Sequence, residues 1–141
     1  MHEEISVSPA PPGPGWERDQ HAGSIQYLGP IWRKASIGGS HVAMVAGDHH
    51  IDFSGSVARG VILAFADHAV GCAGIDSFGV AQVTIQLEVR FIDDARPGEL
   101  IEGTAELVGM AEDLVFLAGR ISANDRLIAT SQGLWKRVRP V

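Results

Sequence analysis

Hydrophobic and polar residues alternate strictly in one segment in the middle of the chain. Over residues 83–91 every odd position is apolar and every even position is polar, a period of two that is typical of a strand with one buried face. The apolar positions are Val83, Ile85, Leu87, Val89 and Phe91. The alternation predicts a half-buried β-strand with these side chains on one face.

Three more extended segments follow, separated by turn sequences. Arg96-Pro97-Gly98 is a turn, after which residues 100–109 alternate again. Glu112-Asp113 and Asn124-Asp125 mark two further turns, and these bound segments at about 114–123 and 127–138. The second half of the chain is therefore predicted to be an antiparallel meander.

A helical pattern precedes the strands. Apolar residues within 57–72 recur at spacings of three, four and seven, and most remaining positions are apolar too. The residues at these spacings are Val57, Val61, Ala64, Phe65 and Cys72. The pattern predicts a core helix buried nearly all round. Its start is expected near Ser54-Gly55-Ser56, whose small side chains can cap a helix.

The region before the helix is less regular. Residues 41–45 predict a first strand, and residues 49–53 predict a second short extended run. Residues 16–39 are assigned a short helix or lid, and the proline-rich residues 1–15 a flexible tail. Together the elements predict a single α+β domain over residues 16–141, with an antiparallel sheet around one long central helix.

Composition limits the classes of partner and compartment. The chain has 141 residues, 45% of them hydrophobic and 20% charged, which fits one globular domain. A net charge of -6 argues against nucleic acid, whose binding needs many Lys and Arg residues. No apolar run reaches the roughly 20 residues of a membrane span. A lone cysteine and a start without a basic and apolar leader lead us to expect a cytoplasmic protein.

Asp67 is the residue that the helical pattern does not explain. Its neighbours one turn away include Leu63 and Val70, so its carboxylate lies on an apolar surface. A carboxylate there either finds hydrogen-bond donors or has its pKa raised, and both suit a general base or a nucleophile. The alternative is a structural role, in which Asp67 caps a loop or pairs with an arginine.

Three other polar features are weaker candidates. The free backbone N–H groups at the helix start, within residues 54–60, favour negative charge. Asp48, His49, His50 and Asp52 match no metal-binding motif, so no metal is predicted. His68 lies about 100° around the helix from Asp67, which favours a packed or solvated histidine over a catalytic one.

Several sequence blocks carry a resemblance to a known family. They are Gly55-Ser56-Val57-Ala58-Arg59-Gly60, Val61-Ile62-Leu63-Ala64-Phe65-Ala66-Asp67-His68-Ala69, the strand at 83–91, Ala95-Arg96-Pro97-Gly98-Glu99-Leu100 and the final strands. In this order, over about residues 41–138, they resemble the hotdog thioesterase superfamily, in particular its phenylacetate-degradation type. The resemblance implies a hotdog fold.

The resemblance also implies roles for particular residues. In similar enzymes the helix carboxylate, here Asp67, activates water or attacks a thioester carbonyl. A backbone N–H around Gly60 stabilises the oxyanion, and a hydroxyl matching Thr84 positions the water. The resemblance further implies a homodimer with sheets joined edge to edge, commonly doubled to a homotetramer. Its active sites lie at the subunit interface, and no cofactor is needed beyond the acyl carrier.

This chain departs from the family pattern at the helix entrance. Ala58-Arg59-Gly60 stands where such members usually carry His-Gly-Gly, and Asp52 stands where they carry asparagine. The histidine side chain and the asparagine amide that would orient the thioester are therefore absent at Ala58 and Asp52. These two positions and Arg59 are the expected substrate-binding positions. Arg59 can compensate by pairing with Asp52 or by reaching the phosphates of coenzyme A.

The residues and the resemblance together predict a thioester hydrolase that cleaves a small or medium acyl-CoA to free acid and CoA. The alternative is a non-catalytic protein that binds acyl-CoA, which the missing His-Gly-Gly favours. A hotdog hydratase ranks last, because the motif it requires near Gly47-Asp48 is incomplete.

Overall fold

The computed structural model of the protein describes residues 10–20, 23–36, 39–78 and 81–138. Of the predicted flexible tail, residues 1–9 lie outside this part, and residues 10–15 form bends and turns. The strands are β1 (Glu17–Arg18), β2 (Trp32–Ser36), β3 (Gly39–Val45), β4 (Gln82–Phe91), β5 (Leu100–Ala111), β6 (Leu114–Ala123) and β7 (Arg126–Arg137). The helices are α1 (Arg59–Phe78) and two 3-10 helices, Ser24–Tyr27 and Asp48–His50.

One antiparallel sheet contains all seven of these strands, in the order β1-β2-β3-β5-β6-β7-β4. The α+β architecture with one long helix confirms the prediction from the sequence. The prediction of an antiparallel meander is only partly correct. Strands β5, β6 and β7 are neighbours in the sheet in chain order, but β4 pairs with β7 at the far edge and not with β5. The reason is that β4 follows α1, which crosses the sheet and delivers the chain to the opposite side from β3.

The helix packs on the inner face of the sheet and supplies much of the core. Its buried residues meet apolar side chains that alternate along β5, β6 and β7, as expected for a sheet with one covered face. On α1 the fully buried residues include Ile62, Phe65, Ala66, Ala69, Val70 and Ala73. None of the helices in the described ranges is long and apolar enough to cross a membrane.

Two glycines on the inner face of the sheet let the helix approach closely. A Cβ at Gly103 would lie 2.8 Å from the Cβ of Ala69, and one at Gly119 would lie 2.5 Å from Cγ2 of Val70. Contacts this short do not occur between real side chains. The distance between α1 and the sheet therefore depends on the absence of side chains at these positions.

The helix begins and ends later than the sequence pattern predicts. Val57 donates its N–H to Ala95 O at 2.9 Å and bridges to Ile51, so it is extended and not helical. The expected cap at Ser54 is wrong as well, because Ser54 donates its N–H and hydroxyl to Asp52 instead. At the other end the helix continues through its glycines to Phe78.

Two predictions before the helix are corrected. The short helix expected within residues 16–39 exists at Ser24–Tyr27, but the strands β1 and β2 on either side of it were missed. The extended run expected over residues 49–53 is wrong at its start, because Asp48–His50 forms a 3-10 turn, while Ile51 is extended and bridges to Val57. That turn is stabilised when His50 Nδ1 accepts the Gly47 N–H at 3.0 Å, while Nε2 donates to Leu28 O at 2.8 Å.

Candidate active site

A β-bulge in β4 decides which side chains face the helix. Thr84 pairs with Trp135 and Gln86 pairs with Leu134, so Ile85 is an extra residue on the strand. Leu87, Val89 and Phe91 pack against the core, as predicted. Val83 and Ile85, which were predicted to share that face, are about half exposed, at 49% and 55%.

The bulge brings Thr84 to the helix carboxylate. With unbroken alternation Thr84 would lie on the opposite face from Leu87, away from α1. Instead Thr84 Oγ1 donates a hydrogen bond of 2.6 Å to Oδ1 of Asp67. Thr84 is exposed and Asp67 is half-buried, so solvent reaches the pair. No other hydrogen bond to Asp67 occurs among the described residues, which leaves Oδ2 open to a water or a substrate.

The start of α1 presents two backbone donors. The Val61 and Ile62 N–H groups both bond to Ala58 O, at 2.9 and 3.2 Å. The N–H groups of Arg59 and Gly60 have no acceptor within the described part of the chain, and Gly60 is exposed with open space where a Cβ would stand. Two free amides at a helix N-terminus suit an anionic oxygen.

The remaining predicted site residues surround this helix start. Ala58 donates its N–H to His50 O at 2.8 Å, so its amide is not available to a ligand. Asp52 is exposed, and hydrogen bonds from the Ser54 hydroxyl and N–H lower the pKa of its carboxyl. Arg59 reaches Asp94 at 3.4 Å rather than Asp52, and its guanidinium lies 5.1 Å from the centre of the Phe91 ring.

Arg126 organises the loop beside the helix start. Its guanidinium donates to both carboxylate oxygens of Glu99 at 3.0 Å and to Asp93 at 2.8 Å. The loop between these acids carries Ala95 O, which accepts the N–H of Val57. The sequence did not indicate this role, because Arg126 is about 30 residues from Asp93 and Glu99 along the chain, and no sequence motif links it to them.

The Asp67 carboxylate and the free amides belong to the same helix but are far apart. Gly60 and Asp67 are separated by seven residues, or two turns, which is about 10 Å along the helix axis. A thioester carbonyl spans just over one ångström. One chain therefore cannot apply both features to the same carbonyl.

The histidines near the site have structural partners. Burial lowers the pKa of His50, with the carbonyl of Leu28 opposing and His49 adding to the effect, and both ring nitrogens are engaged. His68 faces away from Asp67 and pairs with Asp19 at 2.7 Å. Burial disfavours the charged His68 ring, but hydrogen bonds and charges of Asp19 and Cys72 raise its pKa to about 9. Neither histidine points at the Asp67–Thr84 pair.

Comparison with known proteins places this chain in a family. The family model described as the thioesterase superfamily matches residues 54–129, which include the helix start, Asp67 and Thr84. The chain belongs to the thioesterase superfamily. A search of curated proteins finds no match to the sequence.

Solved structures similar to this superfamily member share its fold at low sequence identity. A putative thioesterase of Ralstonia eutropha, described as related to phenylacetic acid degradation, is 21% identical with a TM-score of 0.74, and the match covers 84% of this chain and 92% of that one. A point variant of the phenylacetic acid degradation protein of Thermus thermophilus is 20% identical, with a TM-score of 0.73 and coverage of 81% and 97%.

A third similar structure was solved with a ligand. It is a hypothetical thioesterase of Streptococcus pneumoniae in complex with coenzyme A, 14% identical, with a TM-score of 0.71 and coverage of 77% and 88%. Together these similarities confirm the hotdog fold that the sequence predicts.

Proposed function

We propose that this thioesterase-superfamily chain hydrolyses acyl-CoA thioesters, with Asp67 as the catalytic carboxylate. The observation that carries the proposal is the 2.6 Å hydrogen bond from Thr84 to one oxygen of Asp67, with the other oxygen left open. A carboxylate that is fixed on one side and accessible on the other can act on a water or on a carbonyl carbon.

The chemistry follows from the open oxygen. As a general base, Asp67 takes a proton from a water held near the Thr84 hydroxyl, and the water oxygen bonds to the thioester carbonyl carbon. The carbon–sulfur bond then breaks, and the proton passes to the leaving thiolate, which gives a free acid and CoA. If Asp67 attacks the carbonyl directly, its oxygen bonds to the acyl carbon, the carbon–sulfur bond breaks and the CoA thiolate leaves, which gives a mixed anhydride. Water then hydrolyses the anhydride, which releases the free acid and restores the Asp67 carboxylate.

The separation between Asp67 and the free amides supports a site shared by two chains. In this proposal the Arg59 and Gly60 N–H groups of one protomer stabilise the carbonyl oxygen, and Asp67 of its partner supplies the base. Strand β4 is at the edge of the described sheet and exposes Val83 and Ile85, so it offers a surface for pairing. Edge-to-edge pairing would give a homodimer, and two dimers would give a homotetramer.

Coenzyme A is proposed as the carrier because a similar structure was solved with it and because Arg59 offers a cation at the helix start. The Arg59 side chain is 58% exposed, and besides its position over the Phe91 ring it makes a long contact with Asp94, so its guanidinium can turn toward a phosphate. The similarity to phenylacetic acid degradation proteins favours a small or medium acyl group.

The test is thiol release from a panel of acyl-CoA esters. We expect turnover by the unmodified chain and a fall in kcat of at least about 100-fold in Asp67→Asn, which keeps the shape but not the base. Thr84→Val should lower kcat by less, because it removes only the positioning hydroxyl. Glu106→Gln, an exposed position on the outer face of β5, is the matched control and should retain full activity.

The second candidate is an acyl-CoA binding protein without turnover, and the replaced residues at Ala58 and Arg59 favour it. Calorimetric titration with a non-hydrolysable acyl-CoA thioether distinguishes the two functions. Tight binding with no thiol release from any ester would support the binding protein and reject hydrolysis. Turnover that Asp67→Asn leaves unchanged would show that another group is the catalyst.

A further inference from the structure

A cluster of three metal-ligating side chains lies behind the active-site helix and has no part in the proposed hydrolysis. His68 and Cys72 are one turn apart on α1, and Asp19 comes from the segment after β1. Their Oδ2, Nε2 and Sγ atoms all lie within 4.8 Å of one another. We propose that Asp19, His68 and Cys72 bind a zinc ion that fastens the N-terminal segment to the central helix.

The donor atoms converge on one point. Asp19 Oδ2 lies 2.7 Å from Nε2 of His68, and Cys72 Sγ lies 3.8 Å from the same nitrogen. An imidazole nitrogen offers one proton or one lone pair, so it cannot bond fully to both neighbours. A cation between the three atoms could be coordinated by all of them at once.

The spacing fits tetrahedral zinc after small movements. Zinc bonds of about 2.0 Å to nitrogen and oxygen and about 2.3 Å to sulfur place neighbouring ligand atoms about 3.3 to 3.5 Å apart. The thiol must therefore approach His68 Nε2 by about 0.3 Å, and the Asp19 carboxylate must retreat by about 0.6 Å. The distance between Asp19 Oδ2 and Cys72 Sγ, at most 4.8 Å, would also have to reach about 3.5 Å.

Burial and charge suit a metal as well. The side chains of Asp19 and Cys72 are 4% and 2% exposed, and that of His68 is 14% exposed. Zinc would displace the protons of the His68 ring and the Cys72 thiol to solvent. The resulting carboxylate, thiolate and neutral imidazole around Zn²⁺ have no net charge, which lowers the cost of burial. The mixed oxygen, nitrogen and sulfur donors favour zinc over calcium or magnesium, which prefer oxygen alone. Three protein ligands leave the fourth position to water.

The backbone holds Asp19 in place for this role. Its N–H donates to Ile31 O at 2.8 Å, which extends the pairing of β1 with β2 by one residue. A zinc ion bound by Asp19 and His68 would thus join this ladder to α1. His68 is the residue next to Asp67. The site is independent of whether the chain hydrolyses acyl-CoA.

Cobalt titration of the full chain tests the site. After treatment with a chelator and its removal, the protein should bind one Co²⁺ per chain, with thiolate-to-cobalt absorption in the near ultraviolet and the visible bands of tetrahedral cobalt. Zinc should displace the cobalt and raise the melting temperature. Cys72→Ser and His68→Gln should each weaken zinc binding by more than about 100-fold, since even outer-shell changes cost 10 to 100-fold.

The control removes the other cluster of histidine and carboxylate. His49 and Asp52 are both exposed, and the double variant His49→Gln with Asp52→Asn should bind cobalt with the spectrum of the unmodified chain. Circular dichroism verifies that each variant is folded, and Cys72→Ala replaces Cys72→Ser if serine destabilises the core. Absence of cobalt bands in the unmodified protein would overturn the proposal. A spectrum that persists without Cys72, or that disappears in the double variant, would overturn it as well.

Discussion

At the scale of single residues, Arg59 is the cation nearest the free amides of the helix start. It is exposed, it stacks beside Phe91, and its contact with Asp94 is long at 3.4 Å. An exposed ion pair of this kind contributes little to stability, so the arginine is available for a ligand.

We expect Arg59→Ala to raise KM for acyl-CoA by about tenfold with little change in kcat, as loss of one charged hydrogen bond predicts. A thioester of dephospho-CoA, which lacks one phosphate, should show a smaller difference between the two proteins. Arg120→Ala, an exposed arginine on β6, serves as the control. Equal KM values for Arg59→Ala and the unmodified protein on both substrates would exclude a phosphate contact.

At the residue scale, the sequence singles out Asp67 because a carboxylate interrupts an apolar helix, and Thr84 came from the family resemblance. The structure brings the two side chains together, while their catalytic roles stay a prediction. Arg126 could not be found, since its partners Asp93 and Glu99 are close only in the folded chain. The pairing of Arg59 with Asp94 instead of Asp52 likewise depends on a loop whose path the sequence does not define.

At the scale of elements, the glycines beneath α1 determine how closely the helix approaches the sheet. We expect Gly119→Ala to lower the free energy of unfolding by about 1 to 3 kcal/mol, because the new methyl group would overlap Val70. Urea unfolding measures this change. Gly109→Ala, with nothing within 4 Å of its Cβ, should have only a small effect. Equal losses in both variants would reject the packing explanation.

The loop between β4 and β5 makes the stability of the fold depend on pH in the acidic range. Hydrogen bonds from Arg126 lower the pKa of Glu99, with burial opposing. Because the folded pKa is below the unfolded one, this contribution is present above the ordinary glutamate value of about 4.3 and is lost as pH falls through the folded pKa.

We therefore expect the melting temperature to fall on acidification below about pH 4.3, and to fall less steeply in Arg126→Met. The variant should already be less stable at neutral pH, so the quantity to compare is the slope against pH. Arg120→Met is a control for loss of charge. A slope identical to that of the unmodified protein in Arg126→Met would show that the pair does not link pH to stability.

Periodicity predicted the strands correctly where one face of the strand is buried. It was wrong where local hydrogen bonds determine the backbone conformation. The strand β6 was predicted with its observed bounds, since its alternation is complete. Residues 49–53 were predicted as extended, but hydrogen bonds of the buried His50 ring fold Asp48–His50 into a turn. The pairing of β4 with β7 was missed, because strand order depends on where the helix returns the chain.

At the scale of the whole molecule, the edge strand β4 carries both the proposed interface and Thr84, one member of the proposed catalytic pair. Ile85→Lys places a charge on this edge, and we expect it to convert a homodimer or homotetramer to smaller species. Tyr27→Lys, at an exposed position on the first 3-10 helix, is the control. Light scattering on a sizing column gives the mass, and an unchanged mass for Ile85→Lys would place the interface elsewhere.

Because of the bulge at Ile85, counting alternate residues back from Leu87 does not identify the hydroxyl that bonds to Asp67. Leu87 stands three positions after Thr84, so strict alternation would put the two side chains on opposite faces. Both face the helix because one extra residue is inserted between them. In a relative whose strand has no insertion, a hydroxyl that meets the helix carboxylate would stand two positions before the equivalent of Leu87. An alignment of this strand without a gap would therefore match Thr84 to a residue on the opposite face.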